Sequence, residues 1–286
     1  MLRGCFGKAL KLASSDALAM QANQLVAGGN KLLAIMSPDD LQFLAARGGR
    51  RCFSRGDVLG RADQRADAAY FVESGIVSVV KVHDDHRRTE ISLVGPEGFT
   101  GMAIVLADGR SPYEMFVQSE MLSTIRIGTN DLKELIGISP AFHRTLLAAI
   151  HVQTVQIAEN LASAAWQRTA VRLARWLLMY HDRVGSPQLE VTHEFMAIMI
   201  GAQRTKVTVA LHDIEATGAI TATRGRIVVR DAAILERLAD GTYGRAESEA
   251  ERLYTATQRG NDTHDRLRAN GRCADLRTSS PDDRVD

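Results

Sequence analysis

Positions 203 to 208 read Gln203, Arg204, Thr205, Lys206, Val207 and Thr208. Val207, Ala210, Leu211 and Ile214 fall at i, i+3, i+4 and i+7, the apolar stripe of an α-helix packed along one side. The other side carries two cations with amide and hydroxyl groups, and no carboxylate before Asp213. What such a set of groups can do is bind. Guanidinium, ammonium, amide and hydroxyl groups donate to phosphate oxygens and to base edges, and a helix so furnished enters a major groove without repelling the backbone.

The elements around this stretch must hold it outward. Thr192 stands where an N-cap belongs, and Glu194 suits the positive end of a helix dipole. Phe195, Met196, Met199 and Ile200 form an apolar face, small Ala197 allows close helix approach, and Gly201 supplies a bend. The spacing predicts two short helices with a tight turn, a helix-turn-helix. Taken alone, these helices fit an ordinary core hairpin with a solvated polar face equally well. Downstream, Gly218 to Thr223, then Arg224-Gly225, then Arg226 to Arg230 read as strand, turn and strand. A two-stranded wing with arginines at its tip turns the balance to a DNA-binding winged helix.

The chain has 286 residues, a length that suits two domains. Its net charge is +1, so affinity for nucleic acid must come from a local patch. Cys5, Cys52 and Cys273 lie far apart and form no CxxC, which leaves zinc and iron–sulfur sites unsupported and suits reduced thiols in a cytosolic protein. No apolar run approaches the roughly 20 residues of a membrane span. Lys8, Lys11 and Asp16 interrupt the apolar core that export would need. Residues 1–29 are therefore expected as a flexible or loosely helical extension, and the protein as cytoplasmic, without a membrane partner.

Asn30 to Ala46 reads as helical, with Ser37 as N-cap and Pro38 at the first helical position. From about Arg50 to Ile127 the period becomes two, in many short strands separated by turns, which predicts a sandwich or jelly-roll barrel. His83 and His86 flank two aspartates at a hairpin tip. A metal enzyme of cupin type needs further inward ligands, and none is apparent. Pro140 to Ala164 reads as a long helix. His143, Leu147, Ile150, Thr154, Ile157, Leu161 and Ala164 alternate spacings of four and three, a heptad seam. Ala148, Val152 and Val155 make a second stripe, expected to face the barrel. A helix with two stripes packs on two partners, here the home barrel and a second subunit. Arg168, Arg172 and Arg175 on the next helix are taken as solvated or structural. Asp231 to Ala239 reads as a closing helix, and Glu251 to Asp286 as too polar to offset its ordering entropy, hence mostly disordered beyond a short helix near Ala246 to Tyr254.

Barrel, long helix and winged helix in that order resemble the Crp–Fnr family of bacterial transcription regulators, over about Asn30 to Ala239. The matching stretches are Arg55-Gly56-Asp57-Val58, Tyr70 to Val77, Gly95-Pro96-Glu97-Gly98-Phe99-Thr100-Gly101, Glu159-Asn160-Leu161-Ala162 and Gly201-Ala202-Gln203-Arg204. The resemblance implies an α+β chain. Residues 1–29 would be the extension, 30–138 a cyclic-nucleotide-binding-like β jelly roll and 139–165 a dimerisation helix. Residues 166–240 would be the winged helix-turn-helix and 241–286 the tail. It also implies an effector pocket at Gly98, Gly101, Met102, Arg110, Ser111 and Thr154. Two departures count against a cyclic nucleotide there. Met102 stands where cyclic-AMP binders carry the Glu that holds the ribose, and an ungapped match puts Pro112-Tyr113 at their phosphate-binding pair. No cofactor or metal is otherwise called for.

The same resemblance implies base contacts by Arg204, Thr205 and Val209, phosphate contacts by Gln203 and Lys206, and a homodimer joined at Leu147, Ile150, Thr154, Ile157 and Leu161. Arg204 suits guanine O6 and N7. Thr205 and Val209 depart from the acidic and basic residues of the best-known members, so a different operator is expected. Thr208, Thr223 and Arg224 are further backbone candidates. The expected partners are double-stranded DNA, a second copy and RNA polymerase. The expected role is a regulator rather than an enzyme. Its rivals are a constitutive DNA binder with a scaffold barrel and a cupin-like metal enzyme.

Overall fold

The computed structural model describes residues 17, 19–85 and 87–275. Residues 1–16, Leu18, His86 and residues 276–286 lie outside the described residues, and with them the first part of the expected extension and the last part of the expected tail. Residues 19–27 form a helix, α1, whose Ala22 and Leu25 are buried, so this part of residues 1–29 is packed rather than flexible. Asn30 anchors the segment after α1. Its amide donates to the carbonyls of Val72 and Gly98, and its oxygen accepts from the backbone of Leu32 and Leu33. The helical stretch expected over Asn30 to Ala46 consists of a 3-10 turn over Leu33–Ile35 and then α2 over Pro38–Arg47, which starts at the expected Ser37 cap. Met36 is extended, because a residue that precedes an N-cap leaves the helical region.

Two four-stranded antiparallel sheets make the barrel. One has the order β1 (Gly49–Ser54), β8 (Met121–Gly128), β3 (Ala68–Ser74) and β6 (Phe99–Thr100). The other has β2 (Val58–Gly60), β7 (Glu114–Val117), β4 (Val77–Val82) and β5 (Arg88–Val94). Their inner faces meet through Tyr70, Val72, Val77, Val79, Val94, Val117 and Leu122. The outer face of the first sheet carries Phe71, Ile125 and Ile127, against α4 (Thr129–Ile138) and α5 (Pro140–Trp166). Phe71 lies between Phe99 and Phe142. Ser139 caps α5, with Pro140 at its first position.

The outer face of the second sheet is covered by the C-terminal domain. Ile76, Val80, Leu93 and Phe116 share one core with α6 (Thr169–Val184), α7 (His193–Met199) and α8 (Arg204–Ala216). A β-bulge makes this possible. Val79 pairs with Ser92 but Val80 pairs with Glu90, so Ile91 is the extra residue. The bulge turns Ile91 inward and Glu90 outward, where strict alternation would do the reverse. The wing has three strands rather than the expected two, in the order β10 (Ile220–Thr223), β11 (Arg226–Val229) and β9 (Gln188–Leu189). Between β9 and β11 only two residue pairs form, too short a strand for periodicity to reveal.

After α9 (Ala232–Leu238), α10 runs over Arg245–Asp275, where a mostly disordered tail is expected. Ala246, Ala250, Tyr254 and Asn261 are buried on one side of it. The Tyr254 hydroxyl donates to the Glu97 carbonyl and the Asn261 amide to the Ile35 carbonyl. Two alanines and a tyrosine suffice because α5 and the barrel supply the rest of the apolar surface. Among the described residues no single helix is long and apolar enough to cross a membrane.

Candidate nucleic-acid interface and ligand cavity

Thr192 accepts a hydrogen bond from the Phe195 backbone and starts α7. Gly201 takes φ +59°, a left-handed turn that a side chain would strain, and sends the chain into α8. Val207, Ala210, Leu211 and Ile214 are buried, which rotates the opposite side of α8 outward. Gln203, Arg204, Thr205, Lys206 and Val209 are exposed there. The Arg204 side chain is 70% exposed, and its only ion pair among the described residues is a 4.0 Å approach to Glu194. Thr208 is placed differently. Its hydroxyl donates to the Arg204 carbonyl and meets Nδ1 of His193 at 3.0 Å, so it ties α8 to α7. Thr223 and Arg224 are exposed at the wing tip, before Gly225 with φ +77°.

Inside the barrel mouth lies a cavity of about 570 Å³. Met102, Leu106, Ile91, Val94, Met115 and Ile157 form its apolar wall, and Arg61, Arg65 and Arg110 stand at its rim. Asp108 lies 3.5 Å from Arg110 and 3.6 Å from Arg65. Gly101, Met102, Arg110 and Ser111 line the cavity. Gly101 has φ +117°, and a Cβ there would come within 2.8 Å of the Ala69 Cβ, so only glycine admits this turn into α3 (Met102–Leu106). Gly98 and Thr154 do not line the cavity. Gly98 is in the turn before β6, its carbonyl held by Asn30, and Thr154 is exposed on the far side of α5 with its hydroxyl bonded to the Ile150 carbonyl. Gln153 and Ile157 reach in from α5 instead.

The barrel-facing side of α5 is also not the expected stripe. Phe142, Leu146, Ala149, Gln156 and Asn160 take that role. Gln156 accepts from Ser92 and from the Leu93 backbone, and Asn160 donates to the Ile91 carbonyl. Val152 is buried beside α10. Of the expected seam, Leu147, Thr154 and Leu161 are exposed at seven-residue spacing, while Ile150 is buried in its own chain and Ile157 is half-buried at the cavity. Arg175 is structural, bound to the Thr242 carbonyl and to Asn160. Arg172 donates to the Ile200 carbonyl at the turn. Among the described residues no group of three or more His, Cys, Asp and Glu gathers as a metal site.

A model of the cyclic nucleotide-binding domain matches residues 50–138, and a model of the Crp-like helix-turn-helix domain matches residues 171–238. The chain is 25% identical over 215 residues to the cyclic AMP receptor protein of Thermus thermophilus, covering 74% of this chain and 98% of that protein. It is 25% identical over 195 residues to the HTH-type transcriptional regulator Cmr of Mycobacterium tuberculosis, covering 68% and 77%. A putative transcriptional regulator of the Crp–Fnr family from Eubacterium rectale has the same fold, with a TM-score of 0.59 at 16% identity over 73% of this chain and 98% of that one. A Crp-family regulator from Thermus thermophilus gives 0.57 at 21% identity over 67% and 97%.

The chain belongs to the Crp–Fnr family. It is a transcriptional regulator of that type, with a cyclic-nucleotide-binding domain and a DNA-binding helix-turn-helix. As a Crp–Fnr member it has two features that its sequence did not disclose. The first is the docking of the winged helix on the barrel. Arg183, buried in α6, bonds Glu97 of the matched Gly95-Pro96-Glu97-Gly98 turn at 2.7 Å. The second is a set of cations, Arg87, Arg88 and Arg172, gathered beside the start of α8. They come from two places far apart in sequence, so spacing carries no trace of the group.

Proposed function

We propose that this regulator acts as a cytoplasmic homodimer that reads a near-palindromic site. Two α8 helices would lie in successive major grooves about 34 Å apart. The observation that carries this reading is the outward face of α8, where Gln203, Arg204, Thr205, Lys206 and Val209 are all exposed. Arg204 reads guanine, Thr205 and Val209 set the operator apart from that of better-known members, and Gln203, Lys206, Thr223 and Arg224 hold phosphates. Thr208 serves as a brace, which frees it for no more than a secondary contact. Leu147, Thr154 and Leu161 support pairing through α5, since an exposed leucine stripe at seven-residue spacing suits a second helix. RNA polymerase is the further partner.

Selection of sites from random duplexes by the purified protein tests this reading. A bipartite, inverted motif is expected. A protein that ignores DNA at low salt refutes it.

The cavity favours a barrel that senses over one that is only a scaffold. A space of about 570 Å³ with an apolar wall and arginines at the mouth suits a small anionic effector. The relative from Thermus thermophilus is named for cyclic AMP. Here Met102 offers the ribose no acceptor, while Arg110 and Ser111 can meet a phosphate, so a cyclic nucleotide would lack one of its usual holds. Calorimetry with cyclic AMP and cyclic GMP separates these cases.

A further inference from the structure

An open trough of about 990 Å³ runs between the β4–β5 hairpin and the start of α8. Arg87 and Arg88 line it from the barrel, Arg172 from α6, and Arg204 and Lys206 from α8. Glu194 is the one acid among the described residues that line it. These cations are only partly neutralised. Arg88 is fixed by Glu114 at 2.7 Å and lies 5.2 Å from the centre of the Phe116 ring. Arg87 is 80% exposed and pairs with Asp85 two residues away, an exposed pair of small worth in water. Arg172 and Lys206 pair with no carboxylate among the described residues.

We propose that the β4–β5 hairpin is part of the DNA-binding surface, and that this trough carries the phosphate backbone flanking α8, with Arg87 as its outlying contact. The inference rests on α8 being the recognition helix. Two of the five cations belong to that helix, so the strand passing its N-terminal end runs along the trough and onto the barrel. The hairpin is carried along because barrel and winged helix share one core through Ile76, Val80, Leu93 and Phe116. A trough open along its length suits a continuous row of phosphates, whereas a small anion is best held from all sides.

The test measures binding of the full-length protein to its selected duplex and to a random duplex across a salt series. Arg87→Ala and Arg87→Glu are compared with the wild type and with Arg51→Ala, which removes an exposed arginine on β1. Arg87→Ala is expected to weaken both duplexes by the same factor and to lower the slope of log K against log salt by about 0.9, the loss of one phosphate contact. Arg87→Glu weakens both further, Arg51→Ala changes neither, and melting temperatures stay together. An unchanged slope in Arg87→Glu overturns the proposal while leaving α8 as the reader of DNA. Inorganic tripolyphosphate bound one to one by the wild type and lost in Arg87→Ala, with the DNA slope intact, overturns it in favour of a small-anion site. A wild type that binds neither duplex overturns this inference and the DNA-binding reading together.

Discussion

The indole Nε1 of Trp176 donates a hydrogen bond to Oε1 of Glu90 at 3.0 Å, so a carboxyl on barrel strand β5 closes against helix α6 of the winged helix. Ser78 donates to the other oxygen at 2.9 Å. Burial pushes this carboxyl up to about 8, against the opposing pull of those two hydrogen bonds and of Arg183 and Arg175. An unfolded glutamate titrates near 4.3. The folded chain therefore holds the extra proton between those values, and the stability this contributes, complete below the lower one, drains away as pH rises through about 8. The melting temperature of the wild type is expected to fall from pH 6 to pH 9 more steeply than that of Glu90→Gln, whose amide stays neutral. Parallel profiles would show that Glu90 does not titrate in that window.

Arg204→Ala is expected to cost about 1–3 kcal/mol on the selected duplex and to relax base choice at one position per half-site. Lys206→Ala should weaken all duplexes alike and lower the salt slope by about one. Parallel site selections with the two variants and the wild type distinguish these effects.

Leu161 is 71% exposed on α5, so replacing it removes little from the fold of one chain. Leu161→Glu places a charge in the proposed seam of each subunit. Sedimentation equilibrium should show a shift from dimer toward monomer with the melting temperature of the dilute protein nearly kept. A variant that sediments as the wild type would place the dimer contact elsewhere.

Tyr254 anchors α10 on the barrel by burial and by its bond to the Glu97 carbonyl at 2.8 Å. Tyr254→Phe should cost about 1 kcal/mol in urea unfolding. Tyr254→Ala should cost about 3 kcal/mol or more, since a large aromatic leaves a hole behind. A negligible cost for both would mean that α10 adds nothing to stability.

The helix-turn-helix was legible because its cues are local: the Thr192 cap, the Gly201 turn, and the stripe from Val207 to Ile214. The jelly roll was legible as alternation between turns. What stayed hidden depends on distant packing or on single-residue geometry. The resemblance pointed to Thr154 for the cavity, yet one step along a helix is a turn of about 100°, and it is Gln153 that faces inward. Arg87, Arg172 and Lys206 converge only once the chain has folded. The stripe of α10 is thin, so its charged majority dominates any average taken over the window. Ile76, Val80 and Leu93 look in sequence like any strand residues, and nothing near them says that another domain covers them.

The bulge in β5 has one more outcome. Ile91 belongs to the wall of the ligand chamber, and its immediate neighbour Glu90 belongs to the bearing on which the DNA-reading domain is seated. Chamber and bearing are thus two sides of a single partition, one peptide unit thick. A guest large enough to displace Ile91 would press on the peptide that also carries Glu90, with no relay of intermediate parts.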